Sequence, residues 1–205
     1  MKRSTIAAAA LAAGLFAAPA NAAQFRADAV TFQQPDGSPA AGETVGKATL
    51  SRLPTGARLR VRTSGLQPGE AYSVWWVVFN NPGACAPTGC SASDFATPAV
   101  EASVLNATGR LARDDGSAAF AAFLPIGFIH SNPEVDPALV RHLFGPGLQN
   151  SYTSEIHVVV RSHGPANGQV DQISTFNGSC LNAPPALPCF DPQVVVFKPR
   201  RRAGD

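Results

Sequence analysis

The sequence lacks the signatures by which most enzymes and membrane proteins are recognised. It has no G-x-S-x-G nucleophile elbow, no glycine-rich phosphate loop and no CxxC pair. These absences exclude the motif-bearing α/β hydrolases, nucleotide-binding loops and thioredoxin-like redox centres. No window approaches the ~20 consecutive apolar residues that a membrane-spanning helix needs. We therefore expect a soluble protein that is not an enzyme, has no membrane span and carries no cofactor.

Basic charge is unevenly distributed along the chain. The 16 basic and 14 acidic residues include Lys2 and Arg3, so the chain beyond residue 22 has 14 of each sign. Lys198 and three arginines lie in the last eight residues. A nucleic-acid-binding fold would carry a basic face on its body. The distribution predicts no nucleic-acid partner and a disordered basic tail over residues 198–205.

The first 22 residues have the order of parts found in a Sec-type signal peptide. Lys2 and Arg3 precede an apolar run over residues 6–18 and a small-residue cleavage site that ends at Ala22. Such segments are removed on export. We expect cleavage after Ala22, a single domain over residues 23–197, and delivery to the periplasm or the medium.

Short β-patterned runs separated by Gly, Pro, Asn and Asp fill most of the remaining sequence. Little of it has the period of an amphipathic helix. About nine strands at this spacing predict an all-β fold, an antiparallel Greek-key β-sandwich of immunoglobulin type. The predicted strands are residues 25–32, 46–52, 57–63, 71–79, 99–111, 118–124, 155–162, 170–176 and 193–198.

Two of these strands have informative patterns. Leu59 and Val61 alternate with three arginines, which predicts one buried face and one face in water. Residues 71–79 are apolar on both parities and predict a central strand that is covered on both faces. One of Trp75 and Trp76 should then face the core, and the other a second layer.

Turn signals mark two further features. Asp115-Gly116 supplies the positive φ of a tight hairpin. Residues 125–153 interrupt the β pattern, and within them residues 136–145 begin with an N-cap and a proline and end with a glycine, which predicts a two-turn helix. Long excursions between strands are often functional. We expect contact surfaces in this excursion and in residues 75–90.

Four cysteines lie in two local pairs. Cys85 and Cys90 are separated by four residues, and Cys180 and Cys189 by eight. Export favours disulfides, and pairing within each local pair closes a loop without threading the sheet. Cross-links such as Cys85 to Cys180 are the alternative, since four cysteines allow three connectivities. The spacings do not match the CxxC-like pairs of a four-thiolate metal site.

Polar residues share one face of the predicted strand 155–162 and its extension. His157 and His163 have the same parity as Glu155 and Arg161. Six residues of strand separate the two histidines by roughly 20 Å, too far for one metal ion. This face is either a partly buried network or an open surface for an acidic ligand. The candidate surface-contact residues are Glu155, Arg161, His163 and, after the first cysteine pair, Asp94.

A metal site is the competing hypothesis for the histidines. If the long excursion folds over the sheet, His130 or His142 could join His157 in a two- or three-histidine copper or zinc site. This hypothesis predicts a metal-binding or redox protein.

Several segments together resemble a group of uncharacterised exported bacterial proteins. The segments are residues 65–69, 71–82, 102–109, 155–165 and 175–180, with Cys85 and Cys90. The resemblance implies export and a β-fold, and it implies no activity. More distantly, the Gly-Leu-x-Pro-Gly turn of residues 65–69 and the Ile156-His157 strand resemble the CHRD domain, a β-sandwich module with no established catalytic role. A fainter similarity to copper-zinc superoxide dismutase implies no ligand here, because the chain has no His-x-His pair and only four histidines.

The expected function is a binding or structural role in the bacterial envelope or the medium. The partner would be an envelope or extracellular ligand of unknown identity. The alternative is copper or zinc binding, or redox chemistry, at His157 with other histidines. A third hypothesis, carbohydrate binding, requires Trp75 or Trp76 to be exposed.

Overall fold

The computed structural model describes residues 23–127, 142–168, 170–176, 178, 180 and 189–199. The predicted signal peptide, His130, the first six residues of the predicted helix and residues 200–205 of the predicted tail lie outside this part of the chain.

The described residues form nine strands and no α-helix. The strands are β1 (Ala23–Thr31), β2 (Thr44–Leu53), β3 (Gly56–Thr63), β4 (Glu70–Phe79), β5 (Ala102–Leu111), β6 (Ala118–Pro125), β7 (His142–Phe144), β8 (Glu155–Pro165) and β9 (Phe190–Phe197). Short 3-10 helices span Pro82–Ala84, Ala92–Ala96, Pro98–Val100 and Val170–Ile173.

All nine strands belong to one antiparallel sheet in the order β6-β3-β2-β1-β9-β8-β4-β5-β7. The eight long strands from β6 to β5 curl until the two end strands approach each other, so the sheet nearly closes into a barrel. The all-β, antiparallel prediction is confirmed. A sandwich of two separate sheets is not confirmed, because β1 pairs with both β2 and β9 and joins the two halves.

The predicted alternation in β3 is confirmed. Leu59 and Val61 are buried in the barrel, while Arg58, Arg60 and Arg62 are exposed. Burial of such an aliphatic side chain contributes about 1.5–3 kcal/mol, and the guanidiniums stay hydrated.

The strand β4 lies between β5 and β8 and is buried on both faces. Trp76 belongs to the cluster inside the barrel, and Trp75 to a second cluster on the outer face. Both indoles are at most 1% exposed. The predicted division of the two tryptophans between a core and a second layer is confirmed.

Residues 170–176 do not form the predicted strand. Val170–Ile173 is a 3-10 helix in which Gln172 is buried. Its amide donates to the carbonyl oxygens of His163 (3.3 Å) and Pro165 (2.8 Å). These bonds satisfy a buried polar side chain and fold the backbone back over the sheet.

The predicted helix over residues 136–145 is also wrong at its described end. His142–Phe144 form β7, where Phe144 pairs with Val104 of β5. The Phe144 ring packs edge-on against Phe95, with centroids 5.1 Å apart. Its place in the outer cluster explains why these residues extend along the sheet.

The turn at Asp115-Gly116 is present, with Gly116 at a φ of +71°. The backbone N–H of Arg113 donates to the carbonyl of Ser117 at 2.9 Å. However, β5 and β6, which this turn joins, stand at the two ends of the row of eight long strands and are not ladder partners. The predicted turn therefore closes the barrel and does not form a paired hairpin.

Candidate functional site

A second hydrophobic layer covers the outer face of β4, β5 and β8. Trp75 and Phe79 project outward because alternate residues of a strand point to opposite faces. Phe95, from the segment after the first cysteine pair, stacks on Phe79 with centroids 5.9 Å apart. Phe176 meets Trp75 edge-on at 5.0 Å. Two irregular segments therefore cover this face of the sheet. We call the one between β4 and β5, which carries Phe95, the first roof segment, and the one between β8 and β9, which carries Phe176, the second roof segment.

The first roof segment is held by a disulfide and by Asp94. Cys85 and Cys90 lie at disulfide distance, with Cα atoms 5.1 Å apart. The Asp94 carboxylate accepts the backbone N–H groups of Ala86 (3.0 Å) and Ser91 (2.8 Å), which keep the pKa of Asp94 below its usual value. Asp94 is 5% exposed. In this structure the carboxylate orders the loop, and its predicted surface-contact role stays a prediction.

A cavity of about 280 Å³ lies between this roof and the sheet. Its volume is close to the lower end of small-molecule sites, roughly 300–1,000 Å³. The wall is mainly apolar, and its polar side chains are few: Ser91, His157 and Asp191. The wall includes Trp75, Phe79, Phe95, Phe144, Phe176 and Val196.

His157 of β8 shares one carboxylate with Lys198. Its Nε2 lies 2.7 Å from Glu155 Oε1, and Lys198 Nζ donates to the same oxygen at 2.8 Å. Burial lowers the pKa of His157, and the bond to Glu155 opposes that shift. The neutral ring therefore donates from Nε2, and Nδ1 is an acceptor without a partner among the described residues.

Two sequence predictions concern residues of this network. Glu155 is 4% exposed, and its carboxylate is bonded to His157 and Lys198. Its predicted surface-contact role stays a prediction. Lys198, predicted to begin the disordered tail, is tied to Glu155.

Arg161 joins the second roof segment to β9. Its Nη1 donates to Asp191 Oδ1 at 2.7 Å and its Nε to the carbonyl of Phe176 at 2.8 Å. The guanidinium lies 3.9 Å from the centroid of the Phe176 ring. Burial raises the pKa of Asp191, and Arg161 opposes that shift. Arg161 is 8% exposed, and its predicted surface-contact role stays a prediction.

His163 is buried behind Trp75. Its Nδ1 lies 2.9 Å from the carbonyl of Gly178, and its Nε2 lies 2.6 Å from Ser73 Oγ. Because a carbonyl can only accept, Nδ1 carries the proton and Nε2 accepts the hydroxyl of Ser73. Trp75 Nε1 donates to the same Oγ at 2.7 Å. His163 is 5% exposed and links these groups in the interior. Its predicted surface-contact role stays a prediction.

The second cysteine pair lies against this imidazole. Cys180 and Cys189 are at disulfide distance, with Cα atoms 5.3 Å apart. Their Sγ atoms are 3.5 and 3.6 Å from His163 Nδ1. Both cysteine pairs are thus arranged as the local-pairing prediction has them.

The predicted metal ligands are not brought together by the described residues. His130 lies outside them, and only the backbone of His142 is described. His142 pairs with Leu105 of β5, and its own strand, β7, is three positions from β8 in the sheet. Its backbone is therefore about 14 Å across the sheet from that of His157. His163 faces the cysteine pair instead. The metal hypothesis stays a prediction.

A larger cavity, of about 400 Å³, opens at one end of the barrel. Its polar groups already satisfy one another: Tyr72 and Ser162 both donate to Glu70 Oε2, at 3.0 and 3.1 Å. Gln193 likewise accepts from Thr63 at 2.6 Å. These internal bonds make it the weaker candidate for a ligand site.

Sequence reasoning missed the aromatic lining of the outer cavity. Phe95, Phe144 and Phe176 lie far apart in the chain, and the sequence predicts a helix around Phe144 and a strand that ends at Phe176. The available signal was the double-sided apolar pattern of β4, which requires a second layer but does not say which residues supply it.

The described residues include no helix long and apolar enough to cross a membrane. No protein-family model matches the chain, and no curated protein matches it either.

Proposed function

We propose that this chain is an exported, non-enzymatic binding protein whose ligand is a small, mainly apolar molecule held in the outer cavity. This proposal rests on the outer cavity, which has a volume of about 280 Å³, aromatic walls and few polar groups. An apolar pocket with a few convergent polar groups and shifted pKa values is the arrangement expected of a ligand site.

The polar groups of the cavity favour a neutral ligand. Asp191 is neutralised by Arg161, and Glu155 is shared by His157 and Lys198. A charged ligand would have to displace one of these partners. The imidazole Nδ1 of His157 is an acceptor that has no hydrogen-bond partner among the described residues. We therefore favour an aromatic or alicyclic molecule with one hydroxyl or other donor.

A non-enzymatic role is supported by the state of Ser73 and His163. They have the distance of a nucleophile and its base, but Ser73 is 0% exposed and its Oγ already accepts from Trp75. A substrate could not reach this hydroxyl without opening the second layer. The burial of Trp75 and Trp76 also argues against carbohydrate stacking on these rings.

Export is supported by the order of parts in residues 1–22 and by the two cysteine pairs at disulfide distance. Disulfides persist outside the cytosol. We place the mature protein in the periplasm or the medium, with an envelope or extracellular ligand and no nucleic-acid partner.

We also infer Greek-key connectivity. The strands β4, β5 and β6 follow one another around the barrel, and β3, which precedes them in the chain, lies beside β6. In a Greek key, a fourth strand lies beside the end member of three consecutive strands that is more distant from it in the chain. Here β3 is the fourth strand and β6 is that end member. The proposed likeness to the CHRD domain is compatible with it.

The test compares a cavity variant with a matched surface variant. Val196 lines the cavity and is 36% exposed, while Leu111 is 50% exposed and lies elsewhere on the sheet. With 1-naphthol as the probe, we expect saturable one-to-one binding by calorimetry, at least tenfold weaker affinity in Val196→Phe, and unchanged affinity in Leu111→Phe. Absence of saturable binding, or equal losses in both variants, contradicts the proposal.

The alternative, a metal-binding or redox protein that uses His157 with other histidines, rests on the free Nδ1. It predicts stoichiometric copper or zinc in protein purified without added metal, and loss of that metal in His157→Ala. Naphthol binding by metal-free protein would favour the apolar-ligand proposal.

A further inference from the structure

We propose that His163, Cys180 and Cys189 form a zinc site when the disulfide between the two cysteines is reduced. This goes beyond the proposed ligand binding, since it uses different residues. It also differs from the four-thiolate site that the cysteine spacing argues against.

The imidazole is already placed for such a site. A tetrahedral zinc with Zn–N of about 2.0 Å and Zn–S of about 2.3 Å separates nitrogen from sulfur by about 3.6 Å. His163 Nδ1 lies 3.5 Å from Cys180 Sγ and 3.6 Å from Cys189 Sγ. The two sulfurs must move apart, to about 3.8 Å, once the bond between them is broken. The Gly178 carbonyl oxygen, 2.9 Å from Nδ1, must also move aside for the ion. All three ligand atoms lie within 4.8 Å of one another.

The second ring nitrogen has the partner that metal-bound histidines need. When Nδ1 binds the ion, it releases the Gly178 carbonyl, and the ring proton moves to Nε2. That nitrogen lies 2.6 Å from Ser73 Oγ and would donate to it. A hydrogen bond from the distal ring nitrogen fixes the tautomer and orientation of a metal-bound imidazole.

The charge of the two thiolates favours a divalent ion. Two thiolates and Zn²⁺ sum to zero, which suits the buried surroundings of His163 and Cys180, 5% and 4% exposed. The neighbouring charges, Arg161 and Asp191, also cancel. Cu⁺ would leave a net negative charge among these groups. Three protein ligands leave the fourth position of the tetrahedron to water.

The reaction needs a reductant, which we take to be a dithiol or a phosphine. The S–S bond breaks as the reductant supplies two electrons. With a phosphine, water gives its oxygen to phosphorus and its two hydrogens to the sulfurs. Zinc binding then releases two protons, one from each thiol.

The experiment uses the mature chain under argon, reduced with a phosphine and titrated with Co²⁺ as a spectroscopic substitute for Zn²⁺. We expect thiolate-to-cobalt charge-transfer absorption that saturates at one equivalent and disappears when Zn²⁺ is added. The oxidised protein should give none. Reduced protein without this absorption would overturn the proposal, as would reduced protein that unfolds and does not regain its circular dichroism with one equivalent of Zn²⁺.

Paired variants locate the site. Cys85→Ser with Cys90→Ser removes the other disulfide and should keep the absorption, whereas Cys180→Ser with Cys189→Ser should abolish it. His163→Asn should weaken Co²⁺ affinity at least tenfold, and Arg58→Met, on the exposed face of β3, should leave it unchanged. Unchanged absorption in the Cys180 and Cys189 double variant, or unchanged affinity in His163→Asn, would overturn the assignment.

Discussion

Arg52 ties together three parts of the chain at one end of the barrel. It is 0% exposed, its guanidinium lies 5.0 Å from the ring of Phe25, and its Nε has no partner among the described residues. Burial lowers its pKa to about 10. The guanidinium donates to the carbonyl oxygens of Ser151, Ser154, Phe197 and Lys198. A buried cation with main-chain acceptors therefore joins β2, the segment before β8 and the end of β9.

Arg52→Met should lower the free energy of unfolding by about 2–3 kcal/mol, because buried carbonyls lose their donors. Urea denaturation followed by circular dichroism measures this change. Arg58→Met, on the exposed face of β3, is the matched control and should change stability by less than about 0.5 kcal/mol. Similar losses in the two variants would show that the carbonyl contacts of Arg52 contribute little.

His163 should make the fold sensitive to mild acid. Burial lowers its pKa from 6.5 to about 4 in the folded protein. Between these values the unfolded chain binds the extra proton, so stability falls as the pH decreases below 6.5. The expected loss between pH 7 and pH 5 is about 2 kcal/mol. Urea denaturation at both pH values measures it.

His163→Gln separates this effect from other titrating groups. Glutamine can accept from Ser73 and donate to the Gly178 carbonyl, yet it does not titrate. The variant should lose most of the stability difference between pH 7 and pH 5, with His157 supplying any remainder in the same direction. An unchanged difference would mean that His163 is not the buried neutral imidazole described above.

Among the elements, β5 and the 3-10 helix at Val170–Ile173 touch at a glycine. A Cβ on Gly109 would lie 2.6 Å from Ile173 Cβ and 2.7 Å from its carbonyl oxygen. These distances are far shorter than van der Waals contact. The glycine therefore permits the second roof segment to lie directly on the sheet.

Gly109→Ala should destabilise the fold by about 1–3 kcal/mol through overpacking. Thermal or urea denaturation provides the measurement. Gly83→Ala is the control, since a Cβ there has its nearest neighbour at 3.7 Å and the backbone has no positive φ. Tolerance of alanine at residue 109 would contradict the close approach.

Strand-forming patterns predicted the elements of the barrel better than those of the roof. The alternation in β3 and the apolar residues on both faces of β4 follow from burial alone. A period-2 pattern in the sequence reveals such burial. Residues 170–176 have a similar pattern, but Gln172 is buried through hydrogen bonds that composition does not reveal. Phe144 extends because it packs on Phe95, a contact between distant parts of the chain.

The site was predicted less well than the strands for the same reason. The shared parity of Glu155 and His157 correctly indicated adjacent side chains, now joined at 2.7 Å. The burial of Arg161 and Asp94 depends on the roof segments, whose position is a tertiary property. Polar residues on a strand were expected to face water, and the second layer removes them from it.

At the scale of the whole molecule, the sheet has two apolar layers. The inner cluster fills the barrel, and the outer cluster packs under the roof segments. Cys85 with Cys90 and Cys180 with Cys189 each constrain one roof segment locally. The cavity lies within the outer layer, so ligand binding there need not disturb the barrel.

The two tryptophans provide the most direct test of a ligand site in the outer layer, because Trp75 lines the cavity and Trp76 lies inside the barrel. The measurement is the pair of indole N–H resonances in a two-dimensional ¹H–¹⁵N spectrum during titration with 1-naphthol, assigned with Trp76→Phe. We expect a saturable shift of the Trp75 resonance and a nearly stationary Trp76 resonance. Two stationary resonances, or equal shifts of both, would contradict a ligand site in the outer layer.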